Sequence, residues 1–234
     1  MSILRIDLIS AVPSLFSSAL ETSILKRAQE KSLVEIVTHN LHDYAKDKYK
    51  HIDDTPFGGG AGMVLQCEPI FDCIEKLQSE RNYDEIIYTS PDGSIFNQDM
   101  ANELSLKGNI IILAGHYKGI DQRVRDTLIT REISIGDIVL SGGELPALIM
   151  TDAIVRLIPG VLGDAESALT DAFMNDGLLD CPHYTKPANF RGMEVPEILR
   201  GGNHALINAW RLSESKEKTK RLRPDLYQQY LDQQ

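Results

Sequence analysis

Three sets of glycine-bearing turns carry the strongest chemical signal in this sequence. Each follows an apolar run. Tyr88-Thr89-Ser90-Pro91-Asp92-Gly93 is the first and Ala114-Gly115-His116-Tyr117-Lys118-Gly119 the second. The third combines Ser134-Ile135-Gly136-Asp137 with Ser141-Gly142-Gly143-Glu144. In α/β sheets, ligands bind beyond the carboxyl ends of the strands. Glycine there lets backbone N–H and C=O groups approach a ligand closely. Any one turn taken alone reads as a plain strand–helix connection. All three together predict a backbone-lined pocket for a nucleoside-like molecule. Other signatures are missing: there is no GxxxxGK[ST], no GxGxxG after the first strand, no HExxH and no GxSxG. His39 with His42, and Cys181 with His183, are the close pairs that could hold a metal. Isolated pairs of this kind are ordinarily structural or solvated, so no metal ligand is assigned. The loop Asp53 to Met63 contains Gly58, Gly59, Gly60 and Gly62. Ordering it costs much conformational entropy, which leaves a functional lid or interface loop and a disordered loop as equal readings.

These turns need a scaffold. Ile3–Ile9, Leu33–Thr38, Glu85–Thr89, Asn109–Ala114 and a weaker run near Glu132–Ile135 read as strands. Their nearly continuous apolar character fits burial on both faces, hence a mostly parallel α/β sheet. Helices are expected over Pro13–Lys31, Pro69–Gln78, Gly143–Leu157 and Ala205–Leu212. After Pro159 the chain turns small, polar and acidic, as a linker does, and a small helical second domain follows. The chain has 234 residues, 42% hydrophobic and 25% charged. That is a globular composition, which excludes disordered, collagen-like and coiled-coil classes. No apolar run approaches the roughly 20 residues of a membrane span. Asp7 interrupts the first apolar stretch, so no secretory signal is read there. Three cysteines without CxxC spacing argue against a disulfide scaffold, and the expected compartment is the cytoplasm. The net charge is −10. Arg211 to Arg223 reverses it locally, with six cations against two acids. On composition alone this segment is either a solvated helix face or a contact for a polyanion.

Longer strings carry a resemblance. Asp53 to Met63, Leu140 to Pro146, Ile158 to Gly163, Gly177 to Tyr184 and Gly192 to Pro196 together resemble the bacterial tRNA (guanine-N1)-methyltransferases of the SPOUT class. The likeness runs from the first strand to Arg223-Pro224-Asp225-Leu226. It implies an α/β domain with a deep trefoil knot over residues 1–162, a flexible linker at 163–171 and a helical tRNA-binding domain at 172–234. Ordinary topology rules would reject a knot, so periodicity alone does not suggest one. The implied reaction moves a methyl group from S-adenosylmethionine to N1 of the guanosine 3′-adjacent to the anticodon, position 37 of tRNA. An antiparallel homodimer with composite active sites is implied too.

The same resemblance assigns residues. Asp171 matches the linker base, and Arg156 the arginine that faces the guanine. Read without it, Asp171 is a solvated linker residue and Arg156 a helix-surface charge. The implied donor shell is Tyr88, Thr89, Ser90, Pro91, Gly115, Tyr117, Gly119, Ile135, Gly136, Ile138, Leu140, Ser141, Gly142 and Gly143. RNA contact is implied for Gly58, Gly59, Gly60, Arg191, Arg200, His204, Arg211, Lys220, Arg221 and Arg223. The family's transfer step uses Mg²⁺, yet this chain carries Lys118 where relatives usually carry glutamate, so no metal ligand is placed. Asp176 receives no role. Two other readings stay open: a knotted methyltransferase for another RNA base, and a donor-binding RNA-interaction protein without turnover.

Overall fold

The structure, a computed structural model, describes residues 3–163, 172–173 and 176–233. The chain forms two compact units, Met1–Gly163 and Asp164–Gln234.

The first unit is built on five parallel strands: β1 (Leu4–Ser10), β2 (Val34–Asn40), β5 (Glu85–Ile95), β6 (Asn109–Ala114) and β7 (Arg131–Ser134). Their order across the sheet is β2-β1-β6-β5-β7. A two-residue ladder of β3 (Asp53–Asp54) and β4 (Val64–Leu65) lies apart from it. Side chains alternate across each strand, which explains the unbroken apolar runs. Leu4, Ile6 and Leu8 of β1, with Ile110, Ile112 and Ala114 of β6, join the core on one face. There they meet side chains of α1 (Ser14–Leu20), α2 (Ser23–Glu30), α4 (Gln98–Ser105) and α6 (Glu144–Val155). Ile9, Ile111 and Leu113 join the core on the other face, with α3 (Cys67–Glu80) and α5 (Gln122–Thr127). The central strands β1, β6 and β5 are therefore covered on both sides, while the edge strands β2 and β7 reach the core on one face.

The single helix expected over Pro13–Lys31 is two helices. Ser23 sits at φ 50°, in the left-handed region, and the Thr22 hydroxyl donates to the Ser18 carbonyl at 2.7 Å. Serine and threonine compete with the helix ladder in this way. Two short helices were not expected from periodicity. Asn97 starts α4 by accepting the Met100 N–H at 2.9 Å, and Asp121 starts α5 by accepting the Arg123 N–H at 2.9 Å. Strand β5 runs past Thr89 to Ile95, with a register shift between Thr89 and Ser94. The turn Ser90–Gly93 is the bulge that this shift produces.

In the second unit, β8 (Asn189–Phe190) and β9 (Met193–Glu194) form a hairpin, followed by α7 (His204–Leu222) and α8 (Pro224–Asp232). The expected helix Ala205–Leu212 thus continues through most of the basic stretch. The segment around Leu179 docks on small residues of α7, where the Thr219 hydroxyl accepts the Leu179 N–H at 2.9 Å. No helix among the described residues is long and apolar enough to cross a membrane.

One charge stands inside the sheet. The Asp7 side chain is fully buried between β1 and its neighbours. Arg5 donates to both of its oxygens at 2.8 and 2.9 Å, Tyr83 donates at 2.7 Å, and His39 Nε2 lies at 2.7 Å. Burial alone would raise its pKa, but the bonds to His39, Arg5 and Tyr83 outweigh that and bring it down to about 2. Removing one member of a buried charged pair strands the other. Asp7→Asn is therefore expected to cost about 3 kcal/mol in urea unfolding at neutral pH. The Asp7 contribution is present above its unfolded value of 3.8 and is lost as pH falls toward about 2. The stability gap between wild type and variant should close across that window; a gap that stays constant there would contradict the assignment.

Candidate functional site

The strand-end turns converge because the sequence permits very close backbone approach. The Gly143 N–H donates to the Gly115 carbonyl at 2.6 Å, and His116 pairs with Gly142 as an isolated antiparallel bridge. A Cβ on Gly143 would strike the Thr89 hydroxyl and lie 2.6 Å from the Gly115 nitrogen. Only glycine fits there. Thr89 sits at the same crossing, its hydroxyl 3.3 Å from the Gly115 nitrogen and from the carbonyls of Leu113 and Gly143. One hydroxyl thereby links all three turns.

Beneath this crossing lies a buried acid. Glu144, in the first turn of α6, accepts from the Ser10 hydroxyl at 2.7 Å, so the end of β1 is tied to the start of the helix. His116 Nδ1 stands 3.6 Å from the same carboxylate and has no hydrogen-bond partner among the described residues. A carboxylate at a helix N-terminus is favoured by the unsatisfied N–H groups there.

The turns enclose a cavity of about 380 Å³, within the range of small-molecule sites. The structure brings Tyr88, Thr89, Ser90, Pro91, Gly115, Tyr117, Gly119, Ile135, Ile138, Leu140, Ser141, Gly142 and Gly143 onto its wall. Gly136 is the exception. It is folded into its own turn at φ +133°, exchanging bonds with the Ser134 hydroxyl, and stands off the wall. The wall also holds Asp92, His116, Lys118 and Arg125, which the sequence reading did not place in the shell. Arg125 reaches across it, bound to Glu132 at 2.6 Å and Asp92 at 3.1 Å, with its guanidinium 5.7 Å from the Tyr88 ring. The Glu132 hydrogen bond holds Arg125 firmly protonated, and burial pushes the Tyr88 phenol up, so both keep their ordinary charge states at neutral pH.

The glycine-rich loop joins this site through backbone. It is the connection of the β3–β4 ladder. Its far end is stitched to the second turn: Lys118 N–H donates to the Met63 carbonyl at 3.0 Å, and Leu65 N–H to the Gly119 carbonyl at 3.0 Å. Gly58, Gly59 and Gly60 are exposed and left-handed, with open space around each α-carbon.

The remaining predicted residues lie elsewhere. Arg156 caps the C-terminal end of α6, whereas the cavity adjoins its N-terminal end. The intervening helix spans roughly 20 Å at about 1.5 Å per residue. Asp171 lies outside the described residues. Arg191, Arg200, His204, Arg211, Lys220, Arg221 and Arg223 are all exposed on the second unit. Arg191 rests over the Phe190 ring at 5.1 Å, and Arg223 is bound to Asp225 at 2.6 Å. The two metal-capable pairs have other uses. His39 serves Asp7, and His42 Nδ1 meets the Lys50 carbonyl at 2.7 Å. Asp180, Cys181 and His183 bring ligand-type atoms within 4.8 Å of one another, but Asp180 and His183 already pair at 2.7 Å. Burial, then the Asp180 charge, pushes the Cys181 thiol up, so it stays protonated.

Comparison with known proteins agrees with this architecture. Residues 4–229 match the family model described as tRNA (Guanine-1)-methyltransferase TrmD. A tRNA (guanine-N(1)-)-methyltransferase of Chlorobaculum tepidum is 59% identical over 223 residues, covering 95% of this chain and 96% of its own. Those of Bacteroides fragilis and Flavobacterium psychrophilum are 58% and 60% identical, each covering 95% of this chain and 99% of their own. With the match running from the first strand to the last helix, the chain belongs to the tRNA (guanine-1)-methyltransferase TrmD family.

Proposed function

We propose that this chain methylates N1 of the guanosine at position 37 of tRNA, taking the methyl group from S-adenosylmethionine bound among the three turns. The observation that carries the reading is the convergence of those turns on one cavity, whose wall includes Gly115, Gly119, Gly142 and Gly143. Such a wall suits an adenosine bearing a short amino-acid tail: apolar side chains for the base, N–H and C=O groups for its edges. Bound there, the donor supplies an electrophilic methyl carbon next to a positive sulfur. The close approach of the Gly115 and Gly143 segments also supports the knotted threading that the resemblance implies.

Guanine N1 carries a proton and is a poor nucleophile until it leaves. Asp171 accepts that proton in this reading. Negative charge then builds toward O6, where the Arg156 guanidinium, charged at any physiological pH, stabilises it. The rest of the rate comes from alignment of N1 with the methyl carbon. Magnesium has no place in these steps. The cavity's carboxylate, Asp92, is committed to Arg125, and an ammonium stands at Lys118. Mg²⁺ prefers uncommitted carboxylate oxygen, so the described wall does not fit it.

A homodimer with shared sites is part of this reading, and the placement of Arg156 supports it. The helix separates it from the cavity of its own chain, and in this reading the arginine beside a given cavity comes from a second copy. Helix α6 supports this. Leu145 and Ile149 are 55% and 49% exposed, and Val139 before the helix is 86% exposed. Apolar groups exposed in a row mark a contact surface. Residues 145 and 156 lie eleven positions apart, about 20° on the helical wheel, so the apolar stripe leads to Arg156. The basic face of α7 is the proposed tRNA contact, where phosphate bonds position the substrate without reading its sequence.

Three measurements test this. With labelled donor, a transcript bearing guanosine at position 37 should accept methyl groups and its adenosine variant should not. Asp171→Ala should slow single-turnover transfer by about a thousandfold while the donor still binds; near wild-type transfer would remove Asp171 as the base. Second, Arg156→Ala and Ile138→Glu chains should each be inactive as homodimers. Co-expressed with two tags, their heterodimer keeps one intact site if sites are shared; an inactive heterodimer would show that each chain uses its own arginine. Third, tRNA affinity should fall steeply with salt, and the double change Lys220→Glu, Arg221→Glu should reduce the log–log slope by about 2. An unchanged slope would remove α7 from the RNA contact.

A further inference from the structure

Among the cavity-wall residues, Asp92, Lys118 and Arg125 carry formal charge at neutral pH. Two of these are spent on each other, since Arg125 holds Asp92 at 3.1 Å and Glu132 at 2.6 Å. The ammonium of Lys118 has no ion pair and no hydrogen bond among the described residues. Its position is nonetheless fixed near the backbone. The Lys118 N–H is bound to the Met63 carbonyl, and the turn closes through the Gly119 N–H on the His116 carbonyl at 3.0 Å. Its stem lies over the bare α-carbon of Gly62, where a Cβ would come within 3.0 Å of Lys118 Cγ and Cε. Gly62 is left-handed at φ +95°, so a side chain is disfavoured there on both counts. The stem is thus laid along the edge of the glycine loop, on a residue that belongs to the cavity wall.

We infer that Lys118 is a donor-specificity residue that pairs with the α-carboxylate of the methyl donor. The inference rests on the proposed donor site and adds an orientation to it. The donor carries a positive sulfur, a positive amine and a negative carboxylate. With the other wall charges mutually neutralised, Lys118 repels the first two and attracts the third. The amino-acid tail therefore lies with its carboxylate toward the 115–119 turn and its sulfonium away from it. A phosphate of the substrate RNA is the competing partner for this ammonium. The place of Lys118 among the cavity-lining residues, with its stem held against Gly62, favours the small molecule.

Decarboxylated S-adenosylmethionine separates the possibilities, because it keeps the sulfonium and the amine and lacks only the carboxylate. Affinities of the full-length protein for both donors are measured by calorimetry in wild type, Lys118→Gln and Lys118→Arg. Lys118→Gln should weaken S-adenosylmethionine about tenfold and leave the decarboxylated donor within about twofold. Lys118→Arg, which keeps the charge, should bind both nearly as wild type does. Lys118 is exposed, and an unchanged melting temperature will show that the variants fold. Equal weakening of both donors, or no weakening of either, would overturn the inference. So would loss of tRNA affinity with donor binding intact, which would give the ammonium to the RNA. If wild type binds neither donor, the donor site itself is misplaced.

Discussion

A 2.6 Å hydrogen bond from Gly143 N–H to the Gly115 carbonyl is the constraint around which the first unit is arranged. Two chain segments that are distant in sequence meet there with no side chain between them. Thr89 fills the space beside them and ties in a third segment. Everything functional in this unit is referred to that crossing. The cavity is the space left outside it, the glycine loop is sewn to one of its turns, and α6 starts from it. The buried Glu144 ties the start of that helix to the end of β1. Binding sites of this kind gain precision by resting on rigid elements.

The sheet was legible because its strands are apolar on both faces, and short runs of that kind between turns suit buried parallel strands. The glycine turns were legible as a set: three together at strand ends are hard to account for by turn chemistry alone. Periodicity missed α4 and α5, which are too short to show it. Their caps, Asn97 and Asp121, were readable signals, each placed just ahead of its helix. Joining α1 to α2 ignored the Thr22-Ser23 pair, whose hydroxyl chemistry favours a break. Asp7 was visible as an acid among isoleucines. Its partners His39 and Tyr83 come from distant strands and loops, and nothing local announces them.

The candidate catalytic residues were the least legible. Arg156 sits at a helix end with a spacing any surface arginine could have, and Asp171 lies in a tract of small polar residues. Their meaning depends on long strings shared with a family and not on local physics. The structure adds what those strings do not contain. It sets Arg156 a helix length away from the cavity of its own chain.

Helix α6 therefore works as a ruler. One residue inserted between Glu144 and Val155 would turn Arg156 by about 100° and move it by about 1.5 Å. Its guanidinium would leave the stripe marked by Leu145 and Ile149. Descendants of this sequence can exchange residues along the helix, but they cannot change its length without moving the arginine. Length drift in this lineage should therefore spare the rod between the crossing and the arginine.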